Sequence, residues 1–387
     1  MKNNPTMSVS NPHSNYMNGR QLALFTAFLL PIGKLLELPS LLTSYAGGDL
    51  LIAALVGLSL EFVAFGSLFL FCKRRRRPPI EALERRCGKL TARIFCGVYA
   101  LFLLFYATLP LLDLEKFSHA AFSDTSPTFF IFAPFFVLSG FICTKGVQAY
   151  GRAADLFPVL FLLPILGLVA MSLGEADFSR LLPIIEKPLS VSIKGAFKTA
   201  AYFSSGGLLL PIMSYYQYRD GDEKKLLPAF GAGAALTLLF LATFFAVFGV
   251  MGEKEHYAVM KLAQYFPALK FIGRVDLILV YVLSIGLFYY TALPLQLFTD
   301  CFTRCMGVQK KWITASLLSV ALLLGVLFLN KYTNAIHSFF AEIMPPVFWL
   351  FSVGLPVAFL VIFGKNQRGR DRNKQKPEEP SGVDHAD

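Results

Sequence analysis

Long apolar stretches separated by short polar ones repeat along the chain. Each is close to the ~20 residues a helix needs to cross the hydrocarbon of a bilayer. Ten such spans fall over residues 21–46, 49–72, 92–112, 127–144, 155–173, 192–216, 227–251, 272–299, 312–330 and 339–364. The pattern predicts an all-α integral membrane domain over 21–364, with a polar segment over 1–20 before it and a charged tail over 365–387 after it. The tail is charged and contains prolines, a composition that predicts disorder. Residues 1–20 are rich in Asn and Ser, with no short apolar core or cleavage site of the kind a signal peptide carries. Pro134 predicts a kink in the fourth span. Two loops carry helical periodicity of their own. Ile80, Leu83 and Cys87 share one face after Pro78-Pro79, which predicts a short helix lying in the interface; Tyr257, Met260, Ala263 and Gln264 precede Pro267, which predicts a short interfacial or re-entrant helix.

The first and sixth spans are interrupted. Pro31-Ile32-Gly33-Lys34-Leu35-Leu36-Glu37-Leu38-Pro39 places two prolines, a glycine and two ionisable groups inside the first apolar run. Proline removes a backbone donor and clashes with the preceding turn. Each charge costs about 2.5–3.5 kcal/mol at membrane depth on the insertion scale. Broken backbone is tolerated there only where it is buried in protein or lines a cavity. The sixth span carries Tyr202-Phe203-Ser204-Ser205-Gly206-Gly207-Leu208-Leu209-Leu210-Pro211, and setting Pro211 on Pro39 aligns small residues, leucines and proline in both. Paired interruptions at corresponding places in two halves point to a transporter-like binding site. The plain alternative for the first break is a proline kink whose Lys34 and Glu37 pair with each other.

Composition supports a membrane protein: 55% of the 387 residues are hydrophobic, 39 are phenylalanine, and the mean hydropathy is +0.56. The net charge of +11 sits between the spans rather than in one patch, so it specifies topology and not nucleic-acid binding. Most of the 36 lysines and arginines fall in the N-terminal segment, the loops near 73–93, 145–152, 219–225 and 304–311, and the tail. The positive-inside rule places that side, and both termini, in the cytoplasm. All six cysteines lie at or near the same side, where a reducing compartment needs no disulfides. Cys301 and Cys305 have no further Cys or His beside them to make a metal site.

The broken spans supply the candidate chemistry. The second half of a broken helix offers free N–H groups and a positive dipole end to a carboxylate, and the first half offers carbonyls to an ammonium or cation. Backbone around Ile32, Gly33, Ser205, Gly206 and Gly207 is therefore expected to contact a ligand, with Ser204 beside it. Tyr106, Tyr202, Ser284 and Thr291 are candidates for the same cavity wall. For the serines the alternative is a bond back to the preceding turn, and for the aromatics plain packing. Glu61 falls near the middle of the second span; it reads as a proton-coupling group, as the counter-ion of Lys34, or as a neutral structural acid. Glu37 is the other possible counter-ion. A Lys34 that reaches the ligand would favour an acidic or carboxylate-bearing nutrient. Lys198 is expected to snorkel to the outer interface, and Glu342 to lie in it. His13, His119, His256, His337 and His385 are scattered, and Gly206-Gly207 lies in an apolar span rather than a phosphate loop. Catalysis, a metal, a cofactor and ATP-driven transport are not expected.

Several segments in order resemble the spore germination permease family, the membrane subunit usually called the B subunit of nutrient germinant receptors, within the amino acid–polyamine–cation transporter superfamily. They are Gln21-Leu22, Leu38-Pro39-Ser40, Ala46-Gly47-Gly48-Asp49, Ile80-Glu81-Ala82-Leu83 with Gly88-Lys89, Gly151-Arg152 with Asp155, Leu182-Pro183-Ile184-Ile185 and Gly273-Arg274-Val275-Asp276. The chain departs from the family pattern at Lys34, where a small residue usually follows the glycine, and at Leu208-Leu209, where an acidic residue often stands. The resemblance implies ten helices in two inverted five-helix repeats, with a small polar nutrient bound beside spans 1 and 6. It also implies a larger membrane subunit and a lipoprotein subunit as partners, and residence in the inner spore membrane or cell membrane. An independent secondary transporter of an amino acid with a cation is the rival reading of the same scaffold, and a structural subunit with a vestigial cavity is a third.

Overall fold

The computed structural model describes residues 17–121, 128–153, 155–183, 185–265, 276–308 and 311–364. The N-terminal residues 1–16, Pro267, the Gly273–Val275 part of the eighth-span motif, Ile184 and the 365–387 tail lie outside the described residues.

All ten predicted spans have helical counterparts. Span 1 is α1 (Gly19–Ile32) and α2 (Leu38–Ala46); span 2 is α3 (Leu50–Arg75). A short helix α4 (Pro79–Cys87) leads to α5 (Lys89–Ala121), which is span 3. Span 4 is α6 (Thr128–Lys145), with Pro134 inside it, and after α7 (Val147–Ala153) span 5 is α8 (Phe157–Ser172). Span 6 is α9 (Leu189–Lys198) and α10 (Ser205–Met213); span 7 is α11 (Glu223–Phe248). The loop helix α12 (Ala258–Tyr265) precedes α13 (Asp276–Met306), span 8. Span 9 is α14 (Lys311–Leu329). A connecting helix α15 (Thr333–Glu342) then leads to span 10, made of α16 (Pro345–Trp349), a π-helical turn (Leu350–Gly354) and α17 (Leu355–Phe363). Six helical runs among the described residues are long and apolar enough to cross a membrane by themselves; the broken spans 1 and 6 and the shorter apolar helices of spans 4 and 5 make up the rest.

Local chemistry explains the breaks. In α1 the Gln21 side chain accepts from the Asn18 N–H at 3.2 Å, one half of a capping box that starts the helix. The helix ends after Pro31, where the Lys34 N–H turns back to the Pro31 carbonyl at 2.8 Å. Helix α2 restarts with Pro39 in its first turn, where a missing N–H costs nothing. The Ser40 hydroxyl donates back to the Glu37 carbonyl at 2.9 Å. In span 6, α9 stops at Lys198 and the chain makes tight turns to Ser204 before α10 begins.

The buried core gathers around the broken spans. Helices α5 and α13 pack along each other, α1 packs on α11, and α10 lies between α3 and the π-helical turn of span 10. Polar groups that would be costly in lipid are turned inward: Lys34, Glu61 and Asp113 are all buried. By contrast α14 exposes Leu317, Val320, Leu324 and Phe328 in a row, a surface suited to lipid tails. Both predicted loop helices are present. In α4, Ile80 and Leu83 are buried and Cys87 is exposed; beside and within α12, Tyr257, Met260 and Ala263 are buried.

Candidate functional site

The two breaks meet at one buried ion pair. Lys34 and Glu61 are each 1% exposed, with Nζ 3.1 Å from Oε1 and 3.0 Å from Oε2. Lys34 Nζ also donates to the Leu30 carbonyl at 2.8 Å, a carbonyl freed near the end of α1, and lies 3.4 Å from the Ser205 hydroxyl. The Phe203 ring centroid is 5.5 Å from the ammonium, within cation–π range. Glu61 in turn accepts from the Ser205 hydroxyl at 2.7 Å and the Ser205 N–H at 3.2 Å. Its carboxylate therefore occupies the N-terminus of α10, the dipole end that broken helices otherwise offer to an anion. Glu61 thus sits where a counter-ion of Lys34 would, one of its three readings. Lys34 does not pair with Glu37, whose carboxylate lies 3.1 Å from His256 Nδ1 in the loop between spans 7 and 8.

A narrow cavity lies beside this pair. It is bounded by Gly33 and Leu36 of the first break, Tyr106, Leu109, Pro110 and Asp113 of α5, Ala201 and Tyr202 of the second break, and Leu287 and Tyr290 of α13. Both breaks and spans 3 and 8 thus supply its walls. Gly33 is required here by space: a Cβ at that position would lie 2.4 Å from the Tyr290 hydroxyl oxygen. That hydroxyl is 3.0 Å from the hydroxyl of Tyr106. A wider outer cavity adjoins through Leu109, Ala201 and Tyr202. Its rim includes Lys198, His337 and Glu342. Lys198 sits over the Tyr45 ring at 5.1 Å.

Of the residues the sequence singled out, Gly33, Tyr106 and Tyr202 line the inner cavity. Lys34, Glu61 and Ser205 form the ion-pair cluster behind it. Ile32 is buried, its Cδ1 against Gly286. The Ser204 hydroxyl bonds back to the Ala200 and Ala201 carbonyls, and Thr291 to Leu287 at 2.7 Å. Neither these two nor Ser284 lines the cavity. Gly206 and Gly207 serve packing: a Cβ on Gly206 would lie 2.3 Å from the Ser352 carbonyl oxygen, and one on Gly207 2.8 Å from the Phe102 ring. The Gly207 carbonyl accepts from Tyr99 at 2.6 Å.

Sequence reasoning missed Asp113, Tyr290 and the docking of the loop between spans 7 and 8 on the first break. The Ala258 N–H donates to the Leu36 carbonyl at 2.9 Å, so α12 satisfies a carbonyl that the first break leaves free. Tyr257, just before it, takes a left-handed φ of 58°, which turns the chain onto the break. The hydrogen bond to Glu37 raises the pKa of the His256 imidazole above its ordinary 6.5. In the wall of the outer cavity, burial and then the nearby Lys116 ammonium push His337 down to about 4. Its Nε2 lies 3.2 Å from Lys116 Nζ.

A broken first span, a broken sixth span and a cavity between them are the geometry of a permease. The model of the family described as "Spore germination protein" matches residues 21–334. The chain belongs to this family. Among curated proteins it is similar to Spore germination protein KB of Bacillus subtilis (strain 168), 26% identical over 265 residues, 65% of this chain and 69% of that protein. Among solved structures it resembles MhsT in complex with L-phenylalanine, with a TM-score of 0.59 at 12% identity, over 90% of this chain and 99% of that one. It also resembles a mutant of the Eremococcus coleocola manganese transporter, with a TM-score of 0.52 at 12% identity, over 92% of this chain and 81% of that one. Both likenesses establish a helical transporter fold, as expected from the paired breaks. The chain is a multi-pass membrane protein of a permease family, related to germinant receptors.

Proposed function

We propose that this chain is the nutrient-sensing permease subunit of a spore germinant receptor, binding a small polar nutrient in the cavity between the broken spans. Both termini face the cytoplasm in this reading, and a larger membrane subunit and a lipoprotein subunit complete the receptor. The supporting observation is the cavity itself, which opens on Gly33 at the first break and on Ala201 and Tyr202 at the second. A ligand there touches both interruptions at once. The Lys34–Glu61–Ser205 cluster acts as the latch that ties the two breaks together, and ligand binding shifts the balance between latched and released arrangements. The test is Gly33→Leu in spores. The bulk fills the cavity mouth and displaces Tyr290, so the nutrient response is lost while the protein reaches the membrane at its normal level. Normal sensitivity in that variant would remove the first break from the mechanism.

A further inference from the structure

Among the described residues, the inner cavity has one ionisable carboxylate on its wall and no cationic side chain. Asp113 is 6% exposed; its Oδ2 is 3.5 Å from the Tyr202 hydroxyl, and its Oδ1 has no hydrogen-bond partner among the described residues. A buried carboxylate oxygen left without a donor is costly, and on a residue that lines a cavity it marks where a ligand donor belongs. Among the described residues no cationic side chain bonds that oxygen. Lys34 is held by Glu61 and the Leu30 carbonyl, and Lys116 lies against His337. The N-terminal N–H of α10 is taken by Glu61 as well. The rest of the wall is apolar or aromatic, with Tyr106, Tyr202 and Tyr290 around the carboxylate's chamber. Aromatic walls and a lone carboxylate suit an organic cation; they offer nothing to a second, negative group.

We propose that Asp113 anchors the ligand's ammonium group and that the nutrient is a small protonated primary amine, with no need for a carboxylate. This rests on the reading of the cavity as the nutrient site and names the class of molecule it takes. It also reverses the ligand charge that Lys34 alone would suggest, because that ammonium is consumed inside the protein. The ligand's N–H group donates to Oδ1, and its hydrocarbon part lies against Leu36, Leu109 and Leu287.

The experiment uses purified full-length protein and three probes with the same hydrocarbon: isobutylamine, valine and isovalerate. Thermal unfolding is followed against probe concentration. Isobutylamine is expected to raise the melting temperature in a saturable way, valine to do so more weakly, and isovalerate not at all. Asp113→Asn is expected to weaken isobutylamine binding about tenfold or more, the loss of one charge-assisted hydrogen bond. Asp113→Ser, which leaves a hydroxyl beside Tyr202, gives the same result should the amide variant not be recovered. Stabilisation by isovalerate equal to that by isobutylamine, no shift with any amine, or undiminished amine binding in the Asp113 variants would each overturn the proposal. Stabilisation by valine or isovalerate that survives Asp113→Asn but not Gly33→Leu would sink the amine assignment and leave the nutrient cavity standing. Amine binding that survives Gly33→Leu but not Asp113→Asn would sink the cavity reading instead.

Discussion

Breaking the Lys34–Glu61 pair gives the most demanding test of the latch. Both side chains are 1% exposed, so solvent cannot screen either charge once its partner is gone. Lys34→Met leaves the Glu61 carboxylate with only the Ser205 N–H and hydroxyl as donors. Glu61→Gln is gentler: the ammonium keeps the Leu30 carbonyl, the Phe203 face and an amide oxygen in place of the carboxylate. Removing one member of a buried pair costs about 3–5 kcal/mol, so we place Glu61→Gln near the lower value and Lys34→Met near the upper. The double replacement leaves no charge behind, fills the lysine's volume with methionine and lets the new amide accept from Ser205. It is expected within about 1 kcal/mol of the natural protein. Equilibrium unfolding in mixed micelles measures all three.

Nutrient response in spores is then read on the same variants. A latch that works through charge predicts that the double replacement restores stability but not response. Full recovery of response would show that the pair serves assembly alone. A cost under about 1 kcal/mol for Lys34→Met would mean the pair is not buried as described.

Three further outcomes are expected. Gly206→Ala should lower stability and membrane abundance, because its Cβ would press on the Ser352 backbone carbonyl at 2.3 Å, and backbone cannot rotate away; normal abundance would refute that packing. The His256 imidazolium is favoured by Glu37, so its folded pKa lies above 6.5. The stability this contact contributes is fully present below pH 6.5 and is lost as the pH rises through the higher folded value. Glu37→Gln should move the His256 titration, followed by NMR of labelled histidine, back toward 6.5, and an unmoved titration would break the assignment. Finally, Cys87 is exposed on α4, and an impermeant thiol reagent should reach it from the cytoplasmic side only; external labelling would invert the topology.

The spans and breaks were legible because their causes are local. A run of apolar residues long enough to cross lipid, or a proline inside one, is read off a short window of sequence. The loop helices were legible for the same reason, through a single apolar face. The Lys34–Glu61 pair was legible as one option among several, since two opposite charges in neighbouring spans must find partners. The roles of Gly206 and Gly207 were not, because a glycine needed for close approach to Ser352 or Phe102 looks the same in sequence as one that opens space for a ligand.

Asp113 shows the limit most clearly. In the sequence it follows the apolar run by one residue, with Glu115 and Lys116 close behind, and reads as a solvated span end. In the fold α5 continues to Ala121. Its packing along α13 carries Asp113 inward beneath Tyr202, a residue 89 positions away in sequence. A charge at the end of an apolar run thus has two meanings, boundary or site, and hydropathy cannot separate them. What separates them is the second break, which brings Ala201 and Tyr202 against α5 around Asp113 and leaves one carboxylate oxygen of this cavity-lining residue without a donor among the described residues.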